Sequence, residues 1–251
     1  MRSSGRRDVS VKPAALQPRS VLNASRTCLL FDFGGTLDAD GVAWKERFHG
    51  LYRAEGVDLS AADFARVFYD ADDPLVGGLG EGADLTETAR RLTDNIEAGL
   101  ARRPVGGDPV RGERVAARFL DETAATVARN RAVLEALRGR YRLGIVSNFY
   151  GNLGAVCRGL GLAELFEVMV DSERVGASKP DPAIFQAAMG PMAAAAEGTV
   201  MIGDSLHRDR EGARRSGLDF IWIAAADARA AVDEPEQLTI ASLDALPGLL
   251  L

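Results

Sequence analysis

The chain has 251 residues, of which 47% are hydrophobic and 26% are charged, and this composition is ordinary for a folded globular protein. The length allows one large domain, or a core domain with a smaller insert. The net charge of −6 argues against a nucleic-acid surface, because binding to a phosphate backbone needs a concentrated basic face. No run of about 18 apolar residues is present, so no membrane span is predicted.

The first 26 residues differ from the rest in charge, with six Lys or Arg side chains against one acid, a net of +5. This segment lacks the apolar stretch of a secretory signal. We interpret residues 1–26 as a disordered tail, with an organelle-targeting segment as the alternative. The two cysteines, Cys28 and Cys157, have no metal-ligand spacing, and we expect both to be reduced thiols in a cytoplasmic protein.

The first predicted strand follows this tail. The apolar run 28–31 ends at Asp32, and Gly34 and Gly35 follow shortly after it. Such a run, bounded by glycines, is typical of a central strand that is buried on both faces. Turn glycines let backbone amides point at an anion, and a carboxylate beside them can serve as a nucleophile or a metal ligand. Asp32 is therefore the first candidate functional residue.

The interval 41–121 has no comparable strand and predicts several amphipathic helices. In the first of these, Lys45 and His49 share a polar face opposite an apolar one. Ser60 is typical of the residue that caps a helix start, and a glycine-rich loop at 74–82 joins the helices. We interpret this interval as an all-helical second domain, inserted directly after the first strand.

Beyond residue 121, strands and helices are predicted to alternate. Such alternation implies right-handed crossovers and a parallel sheet with helices on both faces. We therefore predict an α/β fold, with a Rossmann-like three-layer core at 27–40 and 122–251 and a small helical domain at 41–121. The apolar runs that predict the later strands lie at 143–146, 167–170, 199–202 and 219–224.

Polar side chains follow three of these predicted strands, namely Asp32, Ser147 and Asp204. The carboxyl ends of parallel strands meet at one edge of a sheet, so these side chains are expected to lie close together. Asp204 and Asp209 flank a short loop, and hard oxygen ligands of this kind suit Mg²⁺. Lys179 stands just before a predicted helix, and its compact positive charge suits a phosphoryl oxygen. The sequence thus predicts a site for a divalent metal and a phosphate group.

Taken in chain order, these pieces resemble the motifs of the haloacid dehalogenase superfamily of hydrolases. That family has an Asp-x-Asp-x-Thr motif after its first strand, a later Ser or Thr, a Lys, and a late Gly-Asp-x-x-x-x-Asp motif. The resemblance covers residues 27 to about 225, and the helical insert looks like the family's C1-type cap. The matching positions here are Asp32, Gly34 and Thr36, then Ser147-Asn148, then Lys179-Pro180, and finally Gly203-Asp204 with Asp209.

The resemblance implies a role for each matched residue. Asp32 would attack phosphorus and become a transient aspartyl phosphate. Ser147 and Lys179 would bind the transferred phosphoryl group and offset the charge on its oxygens. The cap helices would close over the site and select the substrate. Mg²⁺ would be held by Asp32, the carbonyl of Gly34, Asp204 and Asp209, and the remaining substrate-binding positions would be Gly35, Thr36 and Asn148, with Lys45 and His49 from the cap.

Gly34 departs from the family pattern. Family phosphatases have an aspartate two residues after the nucleophile, which protonates the leaving group and later activates water. Glycine keeps a carbonyl for the metal but cannot move a proton, and general acid–base catalysis is typically worth about 10²–10⁴-fold in rate. If the chain is a phosphatase, either its substrate has a good leaving group, such as an acyl phosphate, or Lys45 or His49 donates the proton.

Three functions are consistent with these residues. The leading one is a Mg²⁺-dependent phosphohydrolase acting on a small phosphorylated metabolite, with no nucleic-acid or membrane partner, as a monomer or homodimer. Carbon–phosphorus cleavage by a phosphonatase-like route is the second, and it would require Lys45 as a Schiff-base lysine. The third is a catalytically weakened homologue that binds a phosphate-bearing ligand or a protein partner. Metal-free dehalogenation is disfavoured by the acid pair Asp204 and Asp209.

Overall fold

A computed structural model of the chain describes residues 26–231 and 237–251. The predicted disordered tail lies outside these residues, apart from Arg26. In the described part, six strands form one parallel sheet in the order β3-β2-β1-β4-β5-β6. The strands are β1 (Cys28–Phe31), β2 (Arg142–Ser147), β3 (Val168–Asp171), β4 (Thr199–Gly203), β5 (Asp219–Ile223) and β6 (Thr239–Ile240).

The strand β1 lies in the middle of the sheet, between β2 and β4, and every one of its residues is buried. Its side chains alternate between two faces, as in any strand. Leu29 and Phe31 pack into the apolar core on one side of the sheet, whereas Cys28 and Leu30 pack into a separate cluster on the other side. Both cysteines of the chain are free and buried. The predicted α/β fold with a parallel sheet is confirmed.

The helices follow the predicted alternation. Ser60 caps the helix Ala61–Asp72, because its hydroxyl accepts the backbone N–H of Asp63 at 3.1 Å. No helix in 26–231 or 237–251 is long and apolar enough to cross a membrane. The helices are α1 (Trp44–Ala54), α2 (Ala61–Asp72), α3 (Leu85–Leu100), α4 (Pro109–Arg138), α5 (Leu153–Gly159), α6 (Ser172–Val175), α7 (Pro182–Met189), α8 (Glu211–Ser216), α9 (Ala226–Ala230) and α10 (Leu246–Leu250).

The helix α4 is 30 residues long and connects the helical interval with the sheet. Asp108 caps its start, where Pro109 occupies the first turn and has no N–H to leave unpaired. Near its other end, Asn130 donates a hydrogen bond of 3.0 Å to the carbonyl of Leu37, in the turn after β1. The predicted boundary between 121 and 122 therefore falls inside one continuous helix. Its first half packs with α3, and its second half lies against the core.

Candidate active site

The three polar side chains predicted at strand ends do meet at one edge of the sheet. Phe31, the last residue of β1, is in register with Ile145 of β2 and with Ile202 of β4. Since β1 lies between these strands, Asp32 stands between the ends of both. Its backbone N–H donates to the carbonyl of Ile202 at 2.9 Å, which extends the sheet pairing by one residue. Asp32 is 7% exposed, so its carboxylate depends on protein partners.

Three donors meet one oxygen of Asp32. The hydroxyl of Ser147 donates to Oδ1 at 2.7 Å, the backbone N–H of Phe33 donates at 2.8 Å, and Nζ of Lys179 lies 2.8 Å away. Among the described residues, no hydrogen bond or ion pair reaches the other oxygen, Oδ2. The carboxylate is thus oriented through one oxygen, which leaves the second available to a ligand or a reacting atom.

Lys179 is a buried cation held between two acids. Its Nζ lies 2.8 Å from Asp32 and 2.7 Å from Asp209, and the residue is 4% exposed. Burial lowers the pKa of Lys179, but the charges of Asp209 and Asp32 outweigh burial and raise that pKa above its usual value. Asn148 fixes the backbone here, since its amide donates to the carbonyl of Lys179 at 3.1 Å and accepts its N–H at 2.7 Å.

Asp32, Asp204 and Asp209 form a cluster in which each side chain offers an oxygen within 4.8 Å of the others. Burial and the neighbouring charge of Asp32 raise the pKa of Asp204 well above its ordinary value. Burial also raises the pKa of Asp209, against the lowering effect of Lys179. Three carboxylates around one ammonium leave an excess of negative charge. The cluster therefore fits a divalent cation with a preference for hard oxygen ligands, such as Mg²⁺.

Two glycines allow the backbone to approach these acids closely. Gly35 has φ +91°, and a Cβ atom there would lie 2.6 Å from Oδ2 of Asp204. A Cβ atom on Gly203 would overlap the carboxylate of Asp209. The family motif therefore needs glycine at 203 for a steric reason, and the turn after β1 needs it at 35 for both steric and conformational reasons.

Two residues of the first motif lie behind the acid cluster. Neither Gly35 nor Thr36 is in the wall of the site cavity. The N–H of Gly35 donates to Asp38 at 2.7 Å, so it is not free for a phosphate oxygen. Thr36 is fully buried, and its hydroxyl lies 3.4 Å from Oδ1 of Asp204. Both positions support Asp204 in the structure, which differs from the substrate contact that the sequence predicts for them.

An indole ring lies beside Gly34. A Cβ atom on Gly34 would be 3.4 Å from Nε1 of Trp44, so an acidic side chain here would point at that ring. The Trp44 N–H donates to Oδ2 of Asp38 at 2.6 Å, and Arg47 donates to the same oxygen at 2.9 Å. Burial raises the pKa of Asp38, and Arg47 only partly offsets this rise. Asp38 is thus a buried anchor for Trp44, which sequence analysis did not reveal.

A cavity of about 820 Å³ opens above the strand ends. One wall is the sheet edge, with Asp32, Ser147, Lys179 and Asp204. A second part of the lining, which we call the helical wall, consists of residues 44–46 of α1 and of Phe68, Tyr69 and Asp72 of α2. The turn after β4 adds His207 and Arg208 at the side. Any ligand held by the acid cluster therefore faces side chains from the helical interval 41–121.

The structure separates the two cap residues that the sequence placed together. Lys45 lines the cavity, where its ammonium lies 3.0 Å from Glu46 and 5.5 Å from the centre of the Tyr69 ring. His49 does not line it. Its Nε2 lies 3.0 Å from the carbonyl of Leu59, and its ring packs against Phe64 of α2. His49 therefore belongs to the contact between α1 and α2, one turn away from the cavity.

Several cavity residues escaped sequence analysis, among them Asp72, Tyr150 and Arg208. Asp72 is the last residue of α2, and the phenol of Tyr150 donates a hydrogen bond to it. Burial raises the pKa of Asp72 to about 6, while Tyr150 and Arg208 act in the opposite direction. No local pattern marks these positions, because their proximity depends on how α2 docks against the sheet.

Comparison with known proteins agrees with this architecture. The haloacid dehalogenase-like hydrolase family matches residues 27–217. The phosphoserine phosphatase of Thermus thermophilus is 30% identical over 220 residues, which cover 78% of this chain and 87% of that protein. The haloacid dehalogenase-like hydrolase domain-containing protein 3 of Bos taurus is 36% identical over 117 residues, which cover 46% of this chain but only 43% of that protein. The chain thus spans less than half the length of this relative.

A solved structure extends the similarity to the fold. The HAD-hydrolase YfnB of Bacillus subtilis, bound to magnesium, has a TM-score of 0.53 and 23% identity, over 90% of this chain and 98% of that one. The chain belongs to the haloacid dehalogenase-like hydrolases, because the family match covers well over half of it. The predicted family and fold class are confirmed, whereas the cap, the effect of Gly34 and the roles of single residues remain predictions.

Proposed function

We propose that the chain is a Mg²⁺-dependent phosphohydrolase that acts on a small phosphorylated metabolite through an aspartyl phosphate on Asp32. The observation that carries this proposal is the asymmetric environment of Asp32. Ser147, Lys179 and a backbone N–H hold one of its oxygens, and its carboxylate also belongs to a cluster with two further acids, Asp204 and Asp209. The similarity to a phosphoserine phosphatase along most of the chain supports the same class of reaction.

Asp32, Asp204 and Asp209 would hold the metal, together with the carbonyl of Gly34. A bound Mg²⁺ would supply charge neutralisation for the phosphoryl oxygens as Asp32 approaches. The excess negative charge of the three carboxylates and the oxygen-only donor set support this assignment. Gly35 and Gly203 would keep the backbone clear of the two acids that follow β4.

Lys179 and Ser147 would bind the phosphoryl group that Asp32 receives. The pKa of Lys179 is raised by Asp209 and Asp32 despite burial, so the ammonium keeps its charge at neutral pH. A fixed cation in a dry site stabilises charge that spreads over the phosphoryl oxygens in the transition state. Asn148 would act through Lys179, whose backbone it holds from both sides.

The helical interval 41–121 would act as the cap that selects the substrate. Its side chains line the same cavity as Asp32, so the part of the substrate beyond the phosphate would contact α1 and α2. This wall is mixed in character, with the aromatic ring of Tyr69, the cation Lys45 and the acid Asp72. A small polar metabolite suits it better than an apolar one.

Carbon–phosphorus cleavage has less support. A Schiff-base lysine must lose its proton before it can attack a carbonyl group. Burial lowers the pKa of Lys45, but Glu46 and Tyr69 outweigh this and raise it. Its ammonium also stays 3.0 Å from Glu46, which favours the charged form. We therefore do not assign this activity to the chain.

A substrate panel tests the proposed function. Alkyl phosphates, aryl phosphates, acyl phosphates and phosphonates are incubated with the purified chain, with Mg²⁺ and with EDTA. We expect Mg²⁺-dependent release of phosphate from at least one phosphate class, and an acid-stable phosphorylated protein that maps to Asp32 after rapid quenching. Release without Mg²⁺, or a phosphoryl group on another residue, would contradict the proposal. No turnover of any class, combined with tight binding of beryllofluoride, would favour a phosphate-binding protein instead.

A further inference from the structure

The aspartate that serves as the family's proton donor is replaced here by Gly34. Trp44 occupies the space beside Gly34, and its N–H is already donated to Asp38 at 2.6 Å. An indole N–H is in any case not acidic enough to transfer a proton at neutral pH. A proton for the leaving group therefore has to come from elsewhere in the cavity, and the helical wall contributes titratable side chains to that cavity.

We propose that Asp72, at the end of α2, is the general acid and base of the reaction and contacts the leaving-group oxygen from the helical wall. This inference rests on the proposed phosphohydrolase function. It assigns a catalytic role to a residue that matches no family motif and that sequence analysis did not single out.

The location of Asp72 in the cavity supports its role as general acid and base. Asp72 lines the same cavity as Asp32 and Lys179, as part of the helical wall. Its Oδ1 accepts a hydrogen bond from Tyr150, which is only three residues beyond Ser147 on the loop after β2. The N–H of Gly77 also donates to the carbonyl of Tyr150 at 3.2 Å. The end of α2 is thus attached at two points to the loop that leads from the phosphoryl-binding Ser147.

The charges around Asp72 also support this role, because Arg208 interacts with acids of both the helical wall and the sheet edge. Burial lowers the pKa of Arg208, but Asp32, Asp209 and Asp204 together outweigh burial and raise it. The same guanidinium acts on Asp72 and lowers the pKa of that carboxyl. Arg208 thus lies within electrostatic range of Asp72 and also of the acid cluster.

The protonation of Asp72 suits a group that works first as an acid and then as a base. Burial raises its pKa, and the like charge of Asp73 acts in the same direction, whereas Tyr150 and Arg208 lower it. The resulting pKa is about 6. Both protonation states are therefore populated near neutral pH, which is the condition under which a single carboxyl group can donate and then accept a proton.

Other titratable groups in the cavity wall are less suited to this role. Glu46 is 53% exposed at its side chain and is paired with Lys45 at 3.0 Å. Asp227 is exposed, and its carboxylate accepts the N–H of Ala228 at 2.9 Å. His207 is exposed on the turn that carries Asp209, on the sheet side of the cavity. Asp72 differs from them because it is half-buried and attached to the core loop.

The two half-reactions balance with Asp72 in this role. In the first, a carboxylate oxygen of Asp32 forms a bond to phosphorus, the bond from phosphorus to the leaving oxygen breaks, and that oxygen takes the proton of Asp72. The alcohol departs, and Asp72 is left ionised. In the second, Asp72 takes a proton from water, whose oxygen attacks phosphorus. The bond between Asp32 and phosphorus breaks, inorganic phosphate leaves, and Asp72 is again protonated.

The substitution Asp72→Asn tests this role, with Asp73→Asn as the matched control. Asp73 is the adjacent acid, but it is exposed and does not line the cavity. We expect Asp72→Asn to reduce kcat/KM for an alkyl phosphate by about 10²-fold or more, because a poor leaving group needs the proton. For an aryl phosphate with a good leaving group, kcat/KM should fall less than about 10-fold, and the released alcohol should appear in a burst because water is no longer activated.

The pH profile supplies a second readout. For the alkyl phosphate, kcat/KM of the wild type should fall as the pH rises past about 6, where Asp72 loses its proton. Asp72→Asn should lack this limb. Dividing one profile by the other removes the ionisation of the substrate itself, whose second pKa is also near 6. Tyr150→Phe should shift the limb to higher pH, because its hydrogen bond lowers the pKa of Asp72.

Several outcomes would overturn the role of Asp72. Equal losses for alkyl and aryl phosphates would indicate a structural effect, and no loss for either would exclude Asp72 from the chemistry. A wild type that turns over only good leaving groups would likewise show that no acid is present. If Asp72→Asn fails to fold, Tyr150→Phe replaces it as the test. A kcat/KM that falls over the same pH range in Tyr150→Phe as in the wild type would exclude Asp72 from the chemistry. In each case Mg²⁺-dependent aryl phosphate turnover would leave the proposed function intact, whereas its absence in the wild type would reject that function.

Discussion

The two walls of the cavity differ in how firmly their side chains are held. At the sheet edge, Asp32, Lys179 and Asp209 are at most 7% exposed, and they bind one another at 2.7–2.8 Å. On the helical wall, Tyr69 is 50% exposed and the Lys45 side chain is 31% exposed. Burial and the two ion pairs of Lys179 hold the first set in place, whereas the second set projects from the surfaces of helices. The sheet edge and the helical wall thus differ in how firmly their side chains are held in place.

The largest expected effect lies at the sheet edge. Asp32→Asn should reduce kcat by at least about 10³-fold, because the amide cannot act as the nucleophile. The control is Asp40→Asn, since Asp40 follows the same motif but forms an exposed ion pair with Arg129 at 2.7 Å. Steady-state phosphate release measures both. If the two substitutions had equal effects, the sheet edge would not be the chemical wall of the cavity.

A second prediction separates the stability of the helical interval from its role in the cavity. Arg111 and Glu97 form a buried pair at 2.6 Å between α3 and α4. Arg111→Met leaves the Glu97 charge uncompensated and should lower the free energy of unfolding by about 3–5 kcal/mol. Arg114→Met removes an exposed pair with Glu55 at 2.7 Å and should cost about 0–1 kcal/mol.

Urea unfolding measures both changes. Activity per folded molecule should be unchanged in Arg111→Met below its unfolding transition, because neither member of the pair lines the cavity. A loss of kcat in the fully folded variant would instead show that the packing of α3 against α4 controls the chemistry.

A third prediction concerns the metal. If Mg²⁺ binds only the folded chain, a concentration of 100 times its Kd should raise the free energy of unfolding by about 2.7 kcal/mol. Asp204→Asn should remove most of this gain, because it takes one of three carboxylates from the cluster. Asp227→Asn changes an exposed acid in the wall of the same cavity and should keep the gain. Thermal unfolding over a series of Mg²⁺ concentrations distinguishes the two variants. An equal response of both would indicate that the metal binds at another site.

The smallest expected effect compares two glycines. Gly50 lies exposed inside α1 with no atom near a would-be Cβ, so Gly50→Ala should stabilise the chain by about 0.5–1 kcal/mol. Gly35→Ala should have the opposite sign, since φ is +91° and the Cβ atom would lie 2.6 Å from Asp204. Urea unfolding measures the free energy of unfolding of both variants, and Mg²⁺ titration measures their metal binding. A stabilising Gly35→Ala would mean that the sheet edge is less tightly packed than the distances indicate.

The sheet edge could be predicted from the sequence because its residues directly follow strands. Asp32, Ser147 and Asp204 each come at the end of an apolar run, so the parallel sheet itself brings them together. Adjacency in the chain translates into adjacency in space by a general rule of parallel sheets. Lys179 came from its motif, and its ion pairs with Asp32 and Asp209 could only be seen in the structure.

The helical wall could not be predicted in the same way. The helices themselves were found from their periodicity, but periodicity does not state which face meets the cavity. Lys45 and His49 are one turn apart, yet only Lys45 lines the cavity, because α2 packs its Phe64 against the His49 ring. Asp72 and Arg208 are 136 positions apart, and only the docking of α2 brings them near one another. The strand β6 was also missed, since two residues are too few to form a pattern.

Because α4 is one continuous helix, a change in its length rotates the helical wall relative to the sheet edge. A straight helix of 30 residues is about 45 Å long, and each residue turns it by about 100°. One residue inserted near the midpoint of α4 would rotate α1, α2 and α3 about the helix axis by about 100° relative to the sheet. An insertion of four residues would nearly restore their original orientation. We therefore expect the position of Asp72 relative to Asp32 to depend partly on the number of residues between Asp108 and Asn130. We expect insertions in α4 to be tolerated only when they add about a whole number of helical turns.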